Sequence, residues 1–549
     1  MSRNAARALV ETLRRHDVDR VFCVPGESYI AVLDTLFDVP EIEVVTCRHE
    51  GGAGFMAVAD AKVTGRAGTC FVSRGPGATN AAIAVHTADQ DAVPLVLFVG
   101  QVERKDLGRR AFQEVDYRKT FSDMAKWVEQ VHDADKLPEA AARAYAIAGS
   151  GTPGPVVVVL PEDMLEEPTE AQAEAPRSQG PVAPATQDIA ALADRLASAE
   201  RPVLIAGGGA GAPAARRALL AAAEAWALPV ATSFKRQDLF PNGHPNFAGH
   251  LGYGIPAALG DALREADLVL AVGTRLGDVT TQGYTLPTPG QTLVHVYSDA
   301  DQFGRNFRVD AGIVADAEPF LDALAAHNAP PAPAGRGDWL ARLHQVHAKL
   351  AEWQPLAADD GVDFGHVVHA MSRQLADDAI VTMDAGNFSS WCHRHFRFEP
   401  SHLLVGCVTG AMGLGVPAAV AAALRHPGRQ VVGLIGDGGM LMTGAELATA
   451  VQTGARVRLI IANNGAFGTI RTHQEKKYPE RVISTGLANP DFAAMAEAYG
   501  AVGLKVERPE EAEPALAQAL AADGPAVIDV RTSLEHISAY ASISGLRSQ

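Results

Sequence analysis

Short apolar runs alternate with alanine-rich stretches along nearly the whole chain. Val21–Val24, Glu43–Thr46, Thr69–Ser73 and Leu95–Val99 have the length and character of strands, and between them Glu50–Thr64 and Ala78–Ala88 read as helices. Strands that alternate with helices in this way predict βαβ units and parallel sheets, an α/β fold of the doubly wound kind.

Two breaks interrupt the alternation. Glu162–Gln187 is acidic and proline-rich, and Ala329–Gly337 reads APPAPAGRG. Both have the composition of interdomain linkers. They divide the chain into three α/β blocks, 1–165, 188–328 and 338–535, with the first and third as candidates for a shared architecture. A chain of 549 residues is too long for one hydrophobic core, which agrees with three domains.

Composition removes several function classes. With 47% hydrophobic and 20% charged residues the chain is neither disordered nor fibrous. No apolar stretch approaches the ~20 residues that span a bilayer, and the N-terminus MSRNAARALVETLRR is a polar-faced helix rather than a secretory core. There are 64 Asp and Glu against 47 Lys and Arg, a formal charge of −17 without a basic run, so no nucleic-acid partner is expected. Cys23, Cys47, Cys70, Cys392 and Cys407 are scattered and form no disulfide framework. The expectation is a soluble cytoplasmic protein with no membrane partner.

The most informative chemistry lies in the third block, in QVVGLIGDGGMLMTGAELATAVQTGARVRLIIANNGAFG. Gln430–Ile435 is a predicted strand, Thr443–Thr453 a helix closed by Gly454 in the left-handed region, and Arg456–Ala462 a second strand. In a right-handed βαβ unit both strands end on one edge of the sheet, so Asp437 and Asn464 converge at the crevice where open α/β sheets bind ligands. A carboxylate and an amide oxygen suit a hard cation such as Mg²⁺, which leaves its other positions to water and phosphate oxygens. Gly436, Gly438 and Gly439 let backbone N–H groups approach an anion. Taken alone, GDGG is an ordinary strand–helix connection and NNG a turn.

In the first block, CRHEGGAGFMAVADA sets Glu50 just after a strand and at the start of a helix. An acidic residue there ordinarily complements the helix dipole. Zinc chemistry of the HExxH type is excluded, because Ala53 stands where the second histidine is needed.

GDG followed one βαβ unit later by NN resembles the cofactor signature of thiamine-diphosphate (ThDP) enzymes. The resemblance covers all three blocks in order, as a pyrimidine-binding domain, a central Rossmann-like domain and a diphosphate-binding domain. It implies that Asp437, Asn464 and the backbone carbonyl of Ala466, within the segment continuing to Phe467 and Gly468, hold Mg²⁺, and that the metal anchors the diphosphate. It places Gly386, Asn387 and Phe388 of MDAGNFSSW on the other side of the diphosphate. In CVTGAMGLGVPAA, Gly410 belongs to the segment that grips the aminopyrimidine, and Met412 matches the bulky apolar residue that bends the cofactor; its ordinary reading is core packing. Glu50 falls where the family keeps the acid that shares a proton with the pyrimidine ring, its pKa raised by an apolar pocket. Pro25 and Gly26 of VPGES, with Asn80 of SRGPGATN, match loops at the pyrimidine end. Because one subunit's pyrimidine domain faces another's diphosphate domain in this family, a homodimer or dimer of dimers is implied.

GRRAFQEVD, Gly108–Asp116, resembles the corresponding segment of acetolactate synthases, with Phe112 at the active-site mouth and Gln113 bonded to substrate or a relay water. Lys126 also falls where relatives carry a lysine. The resemblance implies a decarboxylating carboligase acting on a 2-keto acid. Two departures keep alternatives open: His473 stands where acetohydroxyacid synthases carry a tryptophan, and Val279 where they carry a second arginine beyond Arg275. The alternatives are a 2-keto acid decarboxylase or 2-hydroxyacyl lyase, a flavin-dependent oxidase, and a non-catalytic homologue. LIAGGGAGAPAA, Leu204–Ala215, is a glycine turn after a strand, but no acid ends the next predicted strand, Leu228–Ser233, which counts against NAD and leaves FAD as a candidate by resemblance. Arg104–Arg110 and Gln474–Tyr478 read as solvated charged faces, with the active-site entrance as the alternative, and the tail Glu535–Gln549 either folds over the site or lies idle.

Overall fold

The computed structural model describes residues 3–177, 180–253 and 255–548; Met1 and Ser2 of the N-terminal stretch, Ser178 and Gln179 of the first linker, Gly254, and Gln549 of the tail lie outside the described residues. Three six-stranded sheets carry the chain. The first contains β1 (Arg20–Cys23), β2 (Glu43–Thr46), β3 (Gly68–Val72), β4 (Leu95–Gln101), β5 (Trp127–Gln130) and β6 (Pro155–Pro161), in the order β2-β1-β3-β4-β6-β5. The second contains β7 (Pro202–Ala206), β8 (Val230–Thr232), β9 (Phe247–His250), β10 (Leu268–Val272), β11 (Thr292–Tyr297) and β12 (Ala311–Val314), in the order β12-β11-β10-β7-β8-β9. The third contains β13 (Ile380–Met383), β14 (Leu403–Gly406), β15 (Val431–Gly436), β16 (Val457–Asn463), β17 (Val502–Val506) and β18 (Ala526–Arg531), in the order β14-β13-β15-β16-β18-β17.

Every pairing within these sheets is parallel, and the first and third repeat one strand order. Central strands such as β4 (LVLFVGQ) and β6 (PVVVVLP) are buried at every position. Helices covering both faces of a parallel sheet produce that unbroken apolar pattern. Among the described residues no helix is long and apolar enough to cross a membrane.

The first and third domains share one continuous core. Helix Glu50–Thr64 of the first packs on helix Gly415–Arg425 of the third, and both are built from Gly and Ala at most inward positions. A side chain at Gly68 would enter the backbone of Ala57, so glycine there lets β3 approach that helix. The rim of the contact is locked by Arg425, whose Nε and Nη2 each meet an Asp60 carboxylate oxygen at 2.9 Å.

Two local expectations change. The helix expected over Thr443–Thr453 is a broken one: Asp437–Thr443, a 3₁₀ turn Gly444–Glu446, then Leu447–Thr453, closed as anticipated by Gly454 at φ +70°. Helix Arg336–Ala351, which the second composition break assigns to the third block, packs into the central domain: Trp339 Nε1 donates to Pro202 O at 2.9 Å, and Leu343 is buried among central-domain residues.

Candidate active site

In the third sheet the chain reverses strand order between β13 and β15, which opens a crevice at their carboxyl ends. Asp437 follows β15 directly and is buried. Its Oδ1 accepts from Gly438 N at 2.9 Å, and its Oδ2 accepts from Gly465 N and from Asn489 Nδ2, both at 2.8 Å. Burial pushes the Asp437 carboxyl above the ordinary carboxylate range, and these hydrogen bonds oppose the shift. Asn464 follows β16, and its Oδ1 accepts from Ala466 N at 3.0 Å, folding Asn464–Ala466 into a tight turn beside Asp437.

The other residues expected at this end gather on the same edge. Asn387 Nδ2 donates to Thr472 Oγ1 at 2.8 Å and its Oδ1 accepts from Thr469 Oγ1 at 3.0 Å, tying the loop after β13 to helix Gly468–Lys477. The Phe388 ring lies against Gly386 and Gly436. A Cβ on Gly438 would stand 2.5 Å from the Phe467 ring and 3.2 Å from Met412 Cε, so half-buried Met412, two residues beyond Gly410 at φ +69°, faces the GDG turn. Gly439 has a second reason to be glycine: a Cβ there would overlap Asp384 Oδ2. Buried Asp384 receives Gly413 N at 2.9 Å, and burial holds its carboxyl up at about 6.

At the carboxyl edge of the first sheet, Glu50 opens helix Glu50–Thr64 after β2. Its Oε2 accepts from Asn80 Nδ2 at 2.9 Å, and a Cβ on Gly77 would stand 3.3 Å from its Oε1. The Gln113 backbone packs on Gly75, itself two residues from Gly77, and adopts φ +66° in a loop that Glu114 closes by accepting from Gly108 N and Ala111 N. Gly26, after Pro25, sits against Ser73, so its loop borders the same turn. The apolar enclosure expected around Glu50 is not supplied by one chain: Glu50 is half-buried, Asn80 is exposed, and Phe112 is 76% exposed. No hydrogen bond or ion pair among the described residues joins Glu50 to Asp437 or Asn464.

Several other candidates have structural duties. Lys126 Nζ donates to Ile147 O and Ser150 O at the end of helix Leu137–Gly149, and Arg275 donates to Asp89 O at the end of helix Pro76–Asp91. Arg104 is tied to Asp163 and Glu167. His473 is exposed, while Gln474 bonds both backbone groups of Ile483. The tail folds back: Ile537 lies near Gly468, and Arg547 pairs with buried Glu475.

Sequence reasoning passed over Asn489, which braces Asp437 from beyond the expected motif, and Asp384, which braces the turn after Met412. A polar residue directly after a predicted strand was the available signal for Asp384; nothing local marks Asn489.

The third-sheet residues fit a hard cation carrying a diphosphate. Asp437 is a desolvated carboxylate with no cationic side chain paired to it among the described residues, and Asn489 Oδ1 beside it is buried without a partner. Among the described residues no three His, Cys, Asp or Glu side chains gather as a metal site; the donors that could hold a cation here would be one carboxylate, one amide and one backbone carbonyl, all oxygen. A separate cavity of about 1140 Å³ opens at the switch point of the central sheet, where Gly208, Gly209 and Gly211 face Arg216, Arg236 and Arg275.

Three sequence-family models match the chain in order: "Thiamine pyrophosphate enzyme, N-terminal TPP binding domain" over residues 3–120, "central domain" over 189–324 and "C-terminal TPP binding domain" over 384–530. The chain belongs to the thiamine pyrophosphate enzyme family. Within it the chain is acetolactate synthase-like. It is 34% identical over 539 residues to the acetolactate synthase of Mycobacterium bovis, covering 95% of this chain and 87% of that one. It is 30% identical over 529 residues to the acetolactate synthase isozyme 2 large subunit of Escherichia coli K12, covering 96% and 95%. It is 31% identical over 541 residues to a probable acetolactate synthase large subunit of Methanocaldococcus jannaschii, covering 96% and 91%.

Proposed function

We propose that this protein is a Mg²⁺- and ThDP-dependent carboligase that decarboxylates a 2-keto acid and joins the remaining fragment to a second carbonyl compound. The observation that carries the reading is the convergence of Asp437, Asn464, Asn387 and Met412 at one sheet edge in a chain that is acetolactate synthase-like throughout. Asp437 Oδ, Asn464 Oδ1 and Ala466 O would hold the metal, and Met412, beside the GDG turn, would pack against the bound cofactor. Bound there, ThDP supplies the electron sink that carbon–carbon cleavage beside a carbonyl requires. Glu50, oriented by Asn80, holds a proton at the pyrimidine ring nitrogen, and Gln113 hydrogen-bonds the substrate or a relay water.

The site is proposed to form between two copies of the chain. Glu50 is left half-buried by its own chain, and apolar Phe112, Met442 and Ile470 stand 76%, 52% and 52% exposed near the two clusters, a surface suited to burial by a second copy. FAD is the candidate for the central cavity, whose glycine turn and arginines suit a diphosphate; flavin released on denaturing the purified protein tests this. All five cysteines are free and buried, as a reducing compartment allows, and the cytoplasm is the proposed location.

A second reading, a 2-keto acid decarboxylase or 2-hydroxyacyl lyase, is favoured by exposed His473 and by Val279, which depart from the acetohydroxyacid synthase pattern. Incubation of the purified protein with pyruvate, ThDP and Mg²⁺ separates the two. Acetolactate- or acetoin-type products support carboligation, and aldehyde alone supports the second reading.

A further inference from the structure

Glu446 ends the tight turn Gly444–Glu446 between the helix that Asp437 opens and helix Leu447–Thr453. It is fully buried, and its carboxylate reaches into the first domain. Oε1 accepts from the peptide N–H groups of Arg48 and His49, both at 3.0 Å, and Oε2 from Arg48 N at 3.2 Å and Thr449 Oγ1 at 2.6 Å. The Arg48 guanidinium points elsewhere, donating to Thr46 O and Gln452 Oε1. A carboxylate removed from water persists only where its oxygens are satisfied, and here peptide groups of another domain satisfy them.

Those peptide groups lie immediately ahead of Glu50. Only Cys47, Arg48 and His49 separate β2 from the helix that Glu50 opens, and His49 is extended at φ −149°, ψ 139°, with its Nδ1 accepting from Gly51 N at 3.0 Å. Pinning two successive peptide planes fixes the direction in which the chain enters Glu50, and so the direction of its side chain. Gly52 marks the same contact independently: it lies inside the helix, where glycine has no conformational advantage, and a Cβ there would overlap Glu446 Oε1.

We propose that Glu446 is a positioning residue for Glu50, a clamp from the Asp437 segment onto the Arg48 and His49 peptides that aims the Glu50 carboxylate. The inference rests on the proton-holding role proposed above for Glu50. A misplacement of about 1 Å can slow a reaction by ~10²-fold, so a clamp at this position acts on rate without touching substrate.

The test is Glu446→Gln, which keeps the size of the side chain and one acceptor oxygen. In the unloaded protein, deuterium uptake by the peptide spanning Thr46–Gly54 rises above wild type. In the protein loaded with ThDP and Mg²⁺, exchange of the cofactor's thiazolium C2–H in deuterated water slows by roughly tenfold or more, while ThDP affinity by calorimetry is unchanged. A folded Glu446→Gln protein with wild-type C2–H exchange overturns the proposal. Glu50→Gln, run in parallel, separates the two levels: if it too leaves C2–H exchange at the wild-type rate, the role of Glu50 fails; if it slows exchange and Glu446→Gln does not, only the clamp fails. Should Glu446→Gln not fold, Thr449→Val removes the hydroxyl that holds Oε2; slowed C2–H exchange there supports the clamp, and the wild-type rate overturns it.

Discussion

Asn80 Nδ2 donates to Glu50 Oε2 across 2.9 Å, so the amide on one helix orients the carboxylate that opens another. General acid–base groups of this kind contribute ~10²–10⁴-fold to rate, and Glu50→Gln is expected to lower kcat on a confirmed 2-keto acid by that order. Asn80→Ala leaves the carboxylate in place but unaimed, and a smaller loss, roughly tenfold, is expected for a charge-assisted bond. Steady-state kinetics on both variants checks the ranking; equal losses would mean that Asn80 does more than orient Glu50.

Asp437 and Asn489 make a second prediction. Asp437→Ala removes the carboxylate of the cation site and is expected to abolish Mg²⁺-dependent ThDP binding by calorimetry. Asn489→Ala leaves the Asp437 carboxylate in place but removes the amide that donates to its Oδ2 and to Asn463 Oδ1, and a loss of roughly 10–100-fold in Mg²⁺ affinity is expected for a partner of a metal ligand. Unchanged metal affinity in Asn489→Ala would show that Asp437 needs no brace.

Half-buried His250 sets a pH dependence. Its ring stacks on His393 with centroids 4.4 Å apart, and burial pushes it down to about 3. The unfolded histidine takes a proton near 6.5 while the folded one does not, so this contribution to stability is present above 6.5 and lost as pH falls toward 3. At pH 5 the loss is about 2 kcal/mol. Urea unfolding at pH 7 and pH 5 is therefore expected to separate less in His250→Phe than in wild type. The constant cost of leaving Lys235 N without its acceptor does not affect that slope.

The interface between the first and third domains gives a stability prediction. Asp60 is 6% exposed and bonded by both Nε and Nη2 of Arg425. Arg425→Met leaves that carboxylate without its bidentate partner, and a loss of about 3 kcal/mol is expected. A thermal midpoint equal to wild type would show that the pair contributes nothing.

Much of this arrangement is legible in the sequence because its causes are local. Strands such as β4 and β13 stand out because both faces of a parallel sheet are buried, which leaves no polar positions to blur the run. The GDG and NN motifs are legible because a βαβ unit returns its second strand to the same edge. The short helix Asp437–Thr443 is not, since DGGMLMT holds two glycines that oppose a helix, and it forms where packing against Asp384, Phe467 and Met412 excludes anything larger. Asn489 and Glu446 are invisible for a different reason: their partners lie on other loops or another domain, and no local pattern announces a contact made across that distance. Lys126 and Arg275 stand at positions a family pattern singles out, yet each caps a helix end.

The central claim is that Glu50 of one chain and Asp437 of another serve one cofactor, and a mixed-subunit experiment tests it most directly. Glu50→Gln and Asp437→Ala chains, each inactive alone, are unfolded, combined in equal amounts and refolded with ThDP and Mg²⁺. Sites shared between chains give one intact site in each mixed dimer and recover about a quarter of wild-type activity. Recovery of none, with mixed dimers demonstrated in solution, would contradict the claim.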